Sequence, residues 1–302
     1  MNVKPANDDR AWWVKGALPL LTLGTLLLAM SPIFVRLSEV GPVATAVNRM
    51  LLPLPIFFAW LWFNPAQRLG TTTPTERRDF WLVALAGAFF AGDLIVWHWS
   101  INLTSVANST VLANLSPVWV VIGAWLLFKE RFSRLFVAGL ALALAGVVIL
   151  MGESLIVSMQ SFAGDTLGFV TAWFYAGYIL TVSRVRKRVS TAATMAWGGL
   201  AASTILYAVA LPWEGNVWPD TARGWMVAFG LAGITQVFGQ MLIALSLAHV
   251  SAGFGSMVLL LQPAVAAVIA WFLFNEPLSG WQAAGGIAIL IGLFMARRGT
   301  PQ

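Results

Sequence analysis

One carboxylate, Asp93, lies near the middle of a long apolar run of the sequence, within the polar and aromatic stretch 92–99. A charged group in the hydrocarbon region of a membrane is costly, so Asp93 should face a cavity or a polar partner. At about 100° per helical residue, Trp97 shares the face of Asp93, and His98 lies on the next one. We predict that Asp93 binds a substrate ammonium or a proton, with Trp97 or Trp99 as an apolar wall. Alternatively, Asp93 is a structural group bonded to a nearby amide, and His98 is only an anchor toward the outer interface.

Polar groups in other apolar runs could bind the opposite end of a zwitterion. Asn48 and Arg49 lie about two turns inside the second run. Arg49 could bind a substrate carboxylate, or its long stem could carry the charge outward to water. Tyr175 and Tyr178 in the sixth run are candidate lining residues, although both could equally belong to the packed core.

The segment 100–151 occurs twice in the chain, because 246–297 matches it without a gap. Each residue of the first copy lies 146 positions before its counterpart, as Glu130 lies before Glu276. Shared proline, tryptophan, glutamate and glycine residues at one fixed spacing are not explained by hydrophobic composition alone. Both copies contain an apolar run with a central proline, a Phe-x-Glu ending and a second apolar run with glycines. We interpret the chain as an internal duplication.

Pro117 and Pro263 occupy equivalent positions in the two copies. A proline inside a helix frees the carbonyl four residues back, here that of Ala113 or Leu259. Because both copies retain the proline, we predict a hinge, with a merely tolerated irregularity as the alternative. The amides nearby are further candidate substrate-binding groups: Asn114 and Gln262.

The repeat also relates the eighth run to the third. Subtracting the offset of 146 from Gln236 and Gln240 gives positions 90 and 94, on either side of Asp93. Both halves therefore place polar groups at one depth, and the two amides should share a helical face. Amides suit a zwitterion or a neutral polar solute, but they could equally hold helices together at about 0.6 kcal/mol per bond.

Two other repeated features have structural interpretations. Glu130 and Glu276 end their helices, where the helix dipole disfavours a carboxylate, so we expect each to bond exposed amides of the next helix. Glycines spaced by seven should be close-packing contacts between helices: Gly139, Gly146, Gly285 and Gly292.

Composition restricts the class of protein. The chain is 59% hydrophobic and 10% charged, whereas about a quarter of the residues of a soluble domain are charged. The net charge of +6 comes from short clusters between apolar runs, so we expect no nucleic-acid partner. Cysteine, a Gly-Lys-Ser/Thr phosphate loop and a His-Glu-x-x-His motif are all absent from the sequence. We therefore expect no cofactor, no metal and no catalytic residue.

The lengths of the apolar runs predict the fold. About 20 helical residues cross a hydrocarbon core of roughly 30 Å, and the runs lack the alternation of barrel strands. We predict an all-α integral membrane protein with ten transmembrane helices, at 16–37, 43–63, 80–103, 107–128, 135–151, 166–182, 194–211, 225–247, 252–274 and 281–296.

Basic residues concentrate at one end of these helices, so the positive-inside rule puts the N- and C-termini in the cytoplasm. Five spans per half is an odd number, and the second half therefore enters the membrane in the opposite direction. We predict two inverted five-helix repeats, 1–155 and 156–302. Inverted repeats place a binding site near the midplane and let the halves open alternately, which favours transport over catalysis.

The inverted five-plus-five repeat, the Leu-x-Pro helix of both copies and the Phe-x-Glu exits resemble the EamA-type exporters of the drug/metabolite transporter superfamily. Arg49 also resembles an arginine that these proteins carry near the start of the second span. The tryptophan-rich third span is similar to the ten-span exporters of aromatic and other neutral amino acids. The resemblance implies that the first four spans of each half line a central cavity, with the fifth and tenth packed outside.

The sequence and this resemblance predict an inner-membrane exporter of small neutral metabolites, with amino acids as the expected class, that works by alternating access. The alternatives are an exporter of drugs or of other metabolites such as nucleobases, and a membrane-embedded enzyme. The expected partners are the small-molecule substrate and the lipid bilayer, with the chain as a monomer or a weak homodimer.

Overall fold

The protein is described by a computed structural model, which covers residues 8–63, 74, 76–152, 159–274 and 279–300. Within these ranges the chain is almost entirely helical and contains no strand. Ten helical spans are long and apolar enough to cross a membrane, as predicted; they are numbered 1 to 10 in chain order: Gly16–Leu37, Pro42–Phe63, Arg77–Leu103, Ala107–Phe128, Arg134–Met151, Phe162–Val185, Thr191–Glu214, Ala222–Ser246, Ala252–Ile269 and Gly280–Gly299.

The individual helices of the first half are α1 Asp8–Leu28, α2 Ser31–Leu37, α3 Pro42–Leu51, α4 Leu54–Phe63, α5 Arg77–Leu103, α6 Val106–Ala113, α7 Ser116–Phe128 and α8 Arg134–Met151. Those of the second half are α9 Phe162–Val185, α10 Thr191–Glu214, α11 Ala222–Gly230, α12 Met241–Ser246, α13 Ala252–Val258, α14 Leu261–Phe274 and α15 Gly280–Gly299. A short 3-10 turn, Met159–Ser161, precedes α9, and a π-helix, Leu231–Gln240, joins α11 to α12.

Prolines mark the places where spans are interrupted. Span 4 breaks between α6 and α7 just before Pro117, and span 9 breaks between α13 and α14 just before Pro263. A proline fits the first turn of a helix, where its missing N–H costs nothing. The prediction of a free carbonyl at Leu259 is wrong, because the backbone N–H of Gln262 donates to that oxygen at 3.0 Å. The tight turn at the break therefore supplies a hydrogen-bond donor to the carbonyl oxygen that the proline cannot bond.

Spans 5 and 10 pack against each other through the repeated glycines. A Cβ atom built on Gly139 would lie 2.5 Å from the carbonyl oxygen of Gly292, and one built on Gly292 would lie 2.5 Å from that of Gly139. Gly146 and Gly285 form a second reciprocal contact at 2.7 and 2.6 Å. Such distances exclude any side chain, so the close-packing role predicted for these glycines is confirmed.

A carboxylate of the second half caps a helix of the first half. Glu214, at the end of span 7, accepts hydrogen bonds from the backbone N–H groups of Val43 at 3.0 Å and Ala44 at 2.7 Å. These amides belong to the first turn of α3, where a negative charge is favoured by the helix dipole. The contact ties the start of span 2 to the end of span 7.

The reverse contact lies beside it. Glu39, between spans 1 and 2, accepts hydrogen bonds from the backbone N–H groups of Asp220 and Thr221 at 2.7 and 2.9 Å, and from Thr221 Oγ1 at 2.6 Å. The hydrogen bonds from Thr221 hold the pKa of Glu39 below its ordinary value. The two halves are therefore cross-capped at the end of the bundle that the basic residues predict to be external.

Candidate functional site

A cavity of about 290 Å³ lies between the two halves. Its lining comes from spans 1, 2, 3 and 4 of the first half and from spans 6, 8 and 9 of the second. Met151, the last residue of span 5, lines it as well. The expectation that four spans of each half line the cavity is wrong for span 7, all of which is described, because that span packs behind spans 2 and 3.

Spans 4 and 9 contribute matching parts of the wall. Each residue of span 4 that lines the cavity has its counterpart 146 positions later, also at the wall, and the equivalent pairs are Thr110 and Ser256, Ala113 and Leu259, Asn114 and Leu260, Ser116 and Gln262, and Pro117 and Pro263. The predicted candidates Asn114, Gln262, Pro117 and Pro263 therefore all reach the cavity. The two proline breaks face it from opposite halves.

Asp93 and Arg49 both reach this cavity, one from span 3 and one from span 2. In the part of the chain that the structure describes, the Asp93 carboxylate makes no hydrogen bond and no ion pair within 4.0 Å. Arg49 is close enough to interact with it electrostatically across the cavity. The cavity thus contains a carboxyl group and a guanidinium that do not contact each other.

Two polar side chains hold the Arg49 guanidinium in position. Arg49 Nε donates to Gln236 Oε1 at 3.2 Å, and Nη1 donates to Ser31 Oγ at 3.1 Å. The guanidinium lies 5.4 Å from the ring centroid of Phe90, a distance typical of a cation–π contact. Nη2 makes no hydrogen bond within the described residues. That nitrogen is available to an anionic group in the cavity.

Aromatic side chains form the apolar part of the wall. Trp97 lines the cavity beside Asp93, as the helical spacing predicted, and Phe90 and Tyr175 line it too. The Tyr175 hydroxyl approaches Gln262 without completing a hydrogen bond of ordinary geometry. Tyr175 also stacks on Tyr178, with ring centroids 6.0 Å apart. A solute in the cavity would meet aromatic faces next to the two charges.

The two amides of span 8 do not share a cavity wall, so this part of the sequence interpretation is wrong. Gln236 is buried behind the cavity and holds Arg49, whereas Gln240 lines the cavity. Gln240 Nε2 donates to the hydroxyl of Tyr178 at 2.8 Å, and its Oε1 is buried without a partner among the described residues. Each amide has a different nearest partner, one on span 2 and one on span 6. Tyr178 itself lies behind the wall.

Three other candidates lie away from the cavity. Both ring nitrogens of buried His98 lack a hydrogen-bond partner in the described part of the chain. Trp99 is 37% exposed and packs against Trp213 at 5.9 Å, on the outside of the bundle. Asn48 is buried, and its Nδ2 donates to the carbonyls of Ala44 at 3.0 Å and Val217 at 2.7 Å. Because Val217 lies in the loop after span 7, this hydrogen bond from Asn48 joins the two halves.

Two residues that follow spans 4 and 6, Glu130 and Arg186, contact spans 8 and 9 at the end of the bundle opposite Met151. Arg186, just after span 6, donates from Nε to the carbonyl oxygen of Ala244 near the end of span 8, at 3.2 Å. Glu130 faces the first backbone amides of span 9, at Ala252 and Gly253, rather than those of the next helix in the chain. Burial raises the pKa of Glu130, and nearby Lys187 and the two amides offset part of that effect. Glu276, its repeat counterpart, lies outside the described residues.

Sequence reasoning missed several cavity residues, among them Ser31, Phe90, Thr171 and Ser256. Ser256 could have been found from the repeat, because Thr110 occupies the equivalent position in span 4. Phe90 and Ser31 carry no such signal. Within the described residues, no group of three histidine, cysteine or acidic side chains is placed to hold a metal ion.

Comparison with known proteins identifies the family. The profile of the EamA-like transporter family matches the chain twice, at residues 15–152 and 162–298. The chain belongs to the EamA-like transporter family. Each match falls within one predicted half of this EamA-like transporter, and the family is one of multi-pass membrane proteins that move solutes.

Individual relatives share only about a quarter or less of their residues with this chain. The chain is 26% identical over 284 residues to an uncharacterized transporter of Archaeoglobus fulgidus, covering 91% of this chain and 95% of that protein. It is 23% identical over 227 residues to the pseudopaline exporter CntI of Pseudomonas aeruginosa, covering 74% and 77%. Human solute carrier family 35 member G1 is 21% identical over 282 residues, covering 89% and 75%. Among solved structures that share the fold, a crystal structure matches with a TM-score of 0.80 and 18% identity, over 94% of this chain and 98% of that one.

Proposed function

We propose that this transporter exports small zwitterionic metabolites, with amino acids as the substrate class, across the bacterial inner membrane. The observation that supports the proposal is a carboxyl group and a guanidinium that are held apart in one small cavity. Asp93 has no contact partner among the described residues, and Arg49 is held by Gln236 and Ser31 with Nη2 free. An amino acid carries the two complementary charges on adjacent groups.

The size and the apolar wall of the cavity also favour a small solute. Its volume of about 290 Å³ lies at the lower end of the range of roughly 300 to 1,000 Å³ typical of small-molecule pockets. With the ammonium at Asp93 and the carboxylate at Arg49, a side chain would point toward Phe90, Trp97 or Tyr175. This arrangement suits neutral and aromatic amino acids better than acidic or basic ones.

Alternating access is supported by the position of the cavity along the bundle. It extends to Met151 at one end, and at the other end Glu130 of the first half faces the first backbone amides of span 9 in the second half. The proline breaks of spans 4 and 9 both face the solute, so bending at either break would move a wall of the cavity. Export as the direction is supported by the name of the Pseudomonas relative.

An exporter of drugs or of nucleobases is the second candidate. It is favoured by the three aromatic rings close to Asp93, since a planar cation could stack on them and pair with the carboxylate. In that case Arg49 would repel the solute. The second candidate therefore predicts tighter binding when Arg49 is neutralised, and the amino-acid proposal predicts weaker binding.

Counterflow of labelled solutes in liposomes that contain the purified full-length chain distinguishes the two. We expect exchange of labelled tryptophan, phenylalanine or leucine and no exchange of the corresponding amines. Flux of bulky organic cations with none for any amino acid would contradict the proposal and support a drug exporter. A chemically changed solute in the same liposomes would instead indicate an enzyme.

A further inference from the structure

A second concave site lies at the other end of the bundle, away from the solute cavity. It has a volume of about 230 Å³ and is lined by Arg78, Asp79, Leu82, Arg184, Val185, Lys187 and Arg188. Four cations and one carboxylate therefore converge on one hollow. Its basic residues come from the start of span 3 and the end of span 6, so two helices are needed to build it.

The carboxylates nearby do not neutralise this hollow. Glu76 forms an ion pair with Arg188 at 2.6 Å, and buried Asp79 lies 3.7 Å from the same guanidinium. Arg78 and Arg184 are exposed and have no carboxylate within 4.0 Å in the part of the chain that the structure describes. Glu76 and Asp79 therefore hold Arg188, and Lys187 lies near Glu130, so the positive charge of Arg78 and Arg184 is left for a ligand.

The hollow lies at the ends of two predicted membrane spans, the level at which a lipid headgroup would meet them. Arg78 is the second residue of span 3, and Arg184 is the last residue but one of span 6. Toward the middle of the membrane, Trp81 and Leu85 follow Arg78 along the same face of span 3, and they are 65% and 44% exposed. An anion held by the arginines would have an apolar helix face directly below it.

We propose that this hollow binds the phosphate of an anionic phospholipid, with its acyl chains along Trp81 and Leu85. Guanidinium groups bind phosphate oxygens through paired hydrogen bonds. Basic pockets at the cytoplasmic ends of membrane helices are suited to such headgroups, and each cation near the surface contributes about 1 kcal/mol, or roughly fivefold in affinity. A free phosphate shares the headgroup chemistry but would gain nothing from the apolar face. The site is independent of the solute that the transporter carries.

Native mass spectrometry of the detergent-purified full-length chain tests the proposal. The probes are phosphatidylglycerol and, as a neutral lipid, phosphatidylcholine of the same acyl composition. We expect wild type to retain phosphatidylglycerol preferentially, and R78Q and R184Q each to reduce that preference about fivefold. The double variant should reduce it by more than tenfold. The two single variants keep the test available if the double variant does not fold.

The matched control is R297Q/R298Q, which removes two exposed cations from the end of span 10, predicted to lie on the same membrane face. It should keep the wild-type preference. An equal loss in this control would show a diffuse charge effect and overturn the site. Absence of any preference in wild type would also overturn it. Displacement of phosphatidylglycerol by millimolar inorganic phosphate or glycerol 3-phosphate would assign the site to a free phosphate and contradict the lipid.

Discussion

The two halves of the chain build matching walls but supply different chemistry to the cavity between them. The first half brings both charges, and the positions equivalent to Arg49 and Asp93 in the second half are Met195 and Gly239. Among the described residues, the second half contributes uncharged polar groups to the wall: Thr171, Tyr175, Gln240, Ser256 and Gln262.

The features that both halves share concern helix movement, and the features that differ concern solute recognition. The proline breaks and the glycine contacts occur in both copies, and they determine how helices bend and pack. The two ionisable groups of the cavity occur in one copy, and under the proposed function they determine which solute is held. If the proposed function is correct, changes to charged groups of the first half should alter affinity most. Changes that affect both halves alike should alter rate.

The largest effect is expected for Asp93→Asn, which keeps the shape of the side chain and removes its charge. The affinity for amino acids should fall about a hundredfold, because a charged pair in a desolvated site contributes about 2 to 5 kcal/mol. Proton and ammonium compete for the same carboxylate, so wild-type affinity should decrease as the pH is lowered, and the variant should lose that dependence. Isothermal titration of the purified protein at several pH values measures both.

His98→Gln is the control for this change, since His98 is buried and does not line the cavity. It should keep the pH dependence of wild type. If His98→Gln removes that dependence, the proton belongs to the histidine. If Asp93→Asn binds amino acids as wild type does at every pH, Asp93 is a structural group.

Arg49→Met makes the two halves alike at this position. We expect about thirtyfold weaker binding of amino acids, because the interaction with the carboxylate is lost. Amines without a carboxylate should show no loss of binding, because Arg49 only repels their charge. The matched change Met195→Leu should leave both affinities as in wild type. Arg49→Lys keeps the charge and covers the case in which Arg49→Met does not fold. Equal losses for amino acids and amines would mean that Arg49 supports the fold rather than the solute.

A neutral group of the second half should have a smaller effect. Gln262→Ser gives the second half the residue that the first half carries at Ser116. We expect about fivefold weaker binding, since a hydrogen bond between uncharged groups contributes about 0.5 to 1.5 kcal/mol. Ser116→Ala measures the same position in the first half. If Gln262→Ser weakened amino-acid binding as much as Asp93→Asn does, the distinction between a charged and a neutral half would be wrong.

The prolines test whether movement is shared equally. Pro117→Ala and Pro263→Ala should each leave the affinity unchanged and slow turnover a fewfold, because alanine, unlike proline, permits a continuous helix across the break and so stiffens it. Counterflow rates at equal protein content give the measurement. Slowing in one variant alone would assign the movement to one half. Unchanged rates in both variants would show that the prolines are tolerated irregularities and not hinges.

The smallest expected effect concerns Glu39, where the halves cap each other. Its pKa is held low by Thr221, so its stabilising contribution is present at neutral pH and is lost as the pH falls below the ordinary carboxyl value of about 4.3. Glu39→Gln should therefore lower the thermal denaturation temperature slightly at pH 7, and the difference from wild type should shrink on acidification. A difference that stays constant with pH would rule out the carboxylate as its cause.

Local patterns predicted the scaffold well. Run length is a property of the chain itself, and it gave ten spans that agree with the structure to within a few residues. Repeat spacing identified the glycines that meet between spans 5 and 10 and the prolines at the two breaks. Helical periodicity placed Trp97 beside Asp93 in the cavity. The cytoplasmic position of the termini is still a prediction from the basic residues.

Contacts between distant segments were beyond these patterns. Asn48 bonds the carbonyl of Val217, which lies 169 residues away, and Gln236 bonds Arg49 across 187 residues. Which of two nearby polar groups faces a cavity depends on the nearest neighbour on another helix, and periodicity carries no information about that neighbour. The same reason explains why the separate positions of Gln236 and Gln240 were not foreseen.

The glycine contact between spans 5 and 10 is isologous, since Gly139 approaches Gly292 as Gly292 approaches Gly139. Two identical five-span chains, inserted in opposite orientations, could form the same interface as a homodimer. In such an ancestor, any charge at the position of Asp93 would appear twice in one cavity, and so would any at that of Arg49. Gene fusion removes this restriction, because each copy can then mutate alone. One carboxylate opposite one guanidinium, in a fold built by near-symmetric halves, is an arrangement that the fused gene permits and the homodimer does not.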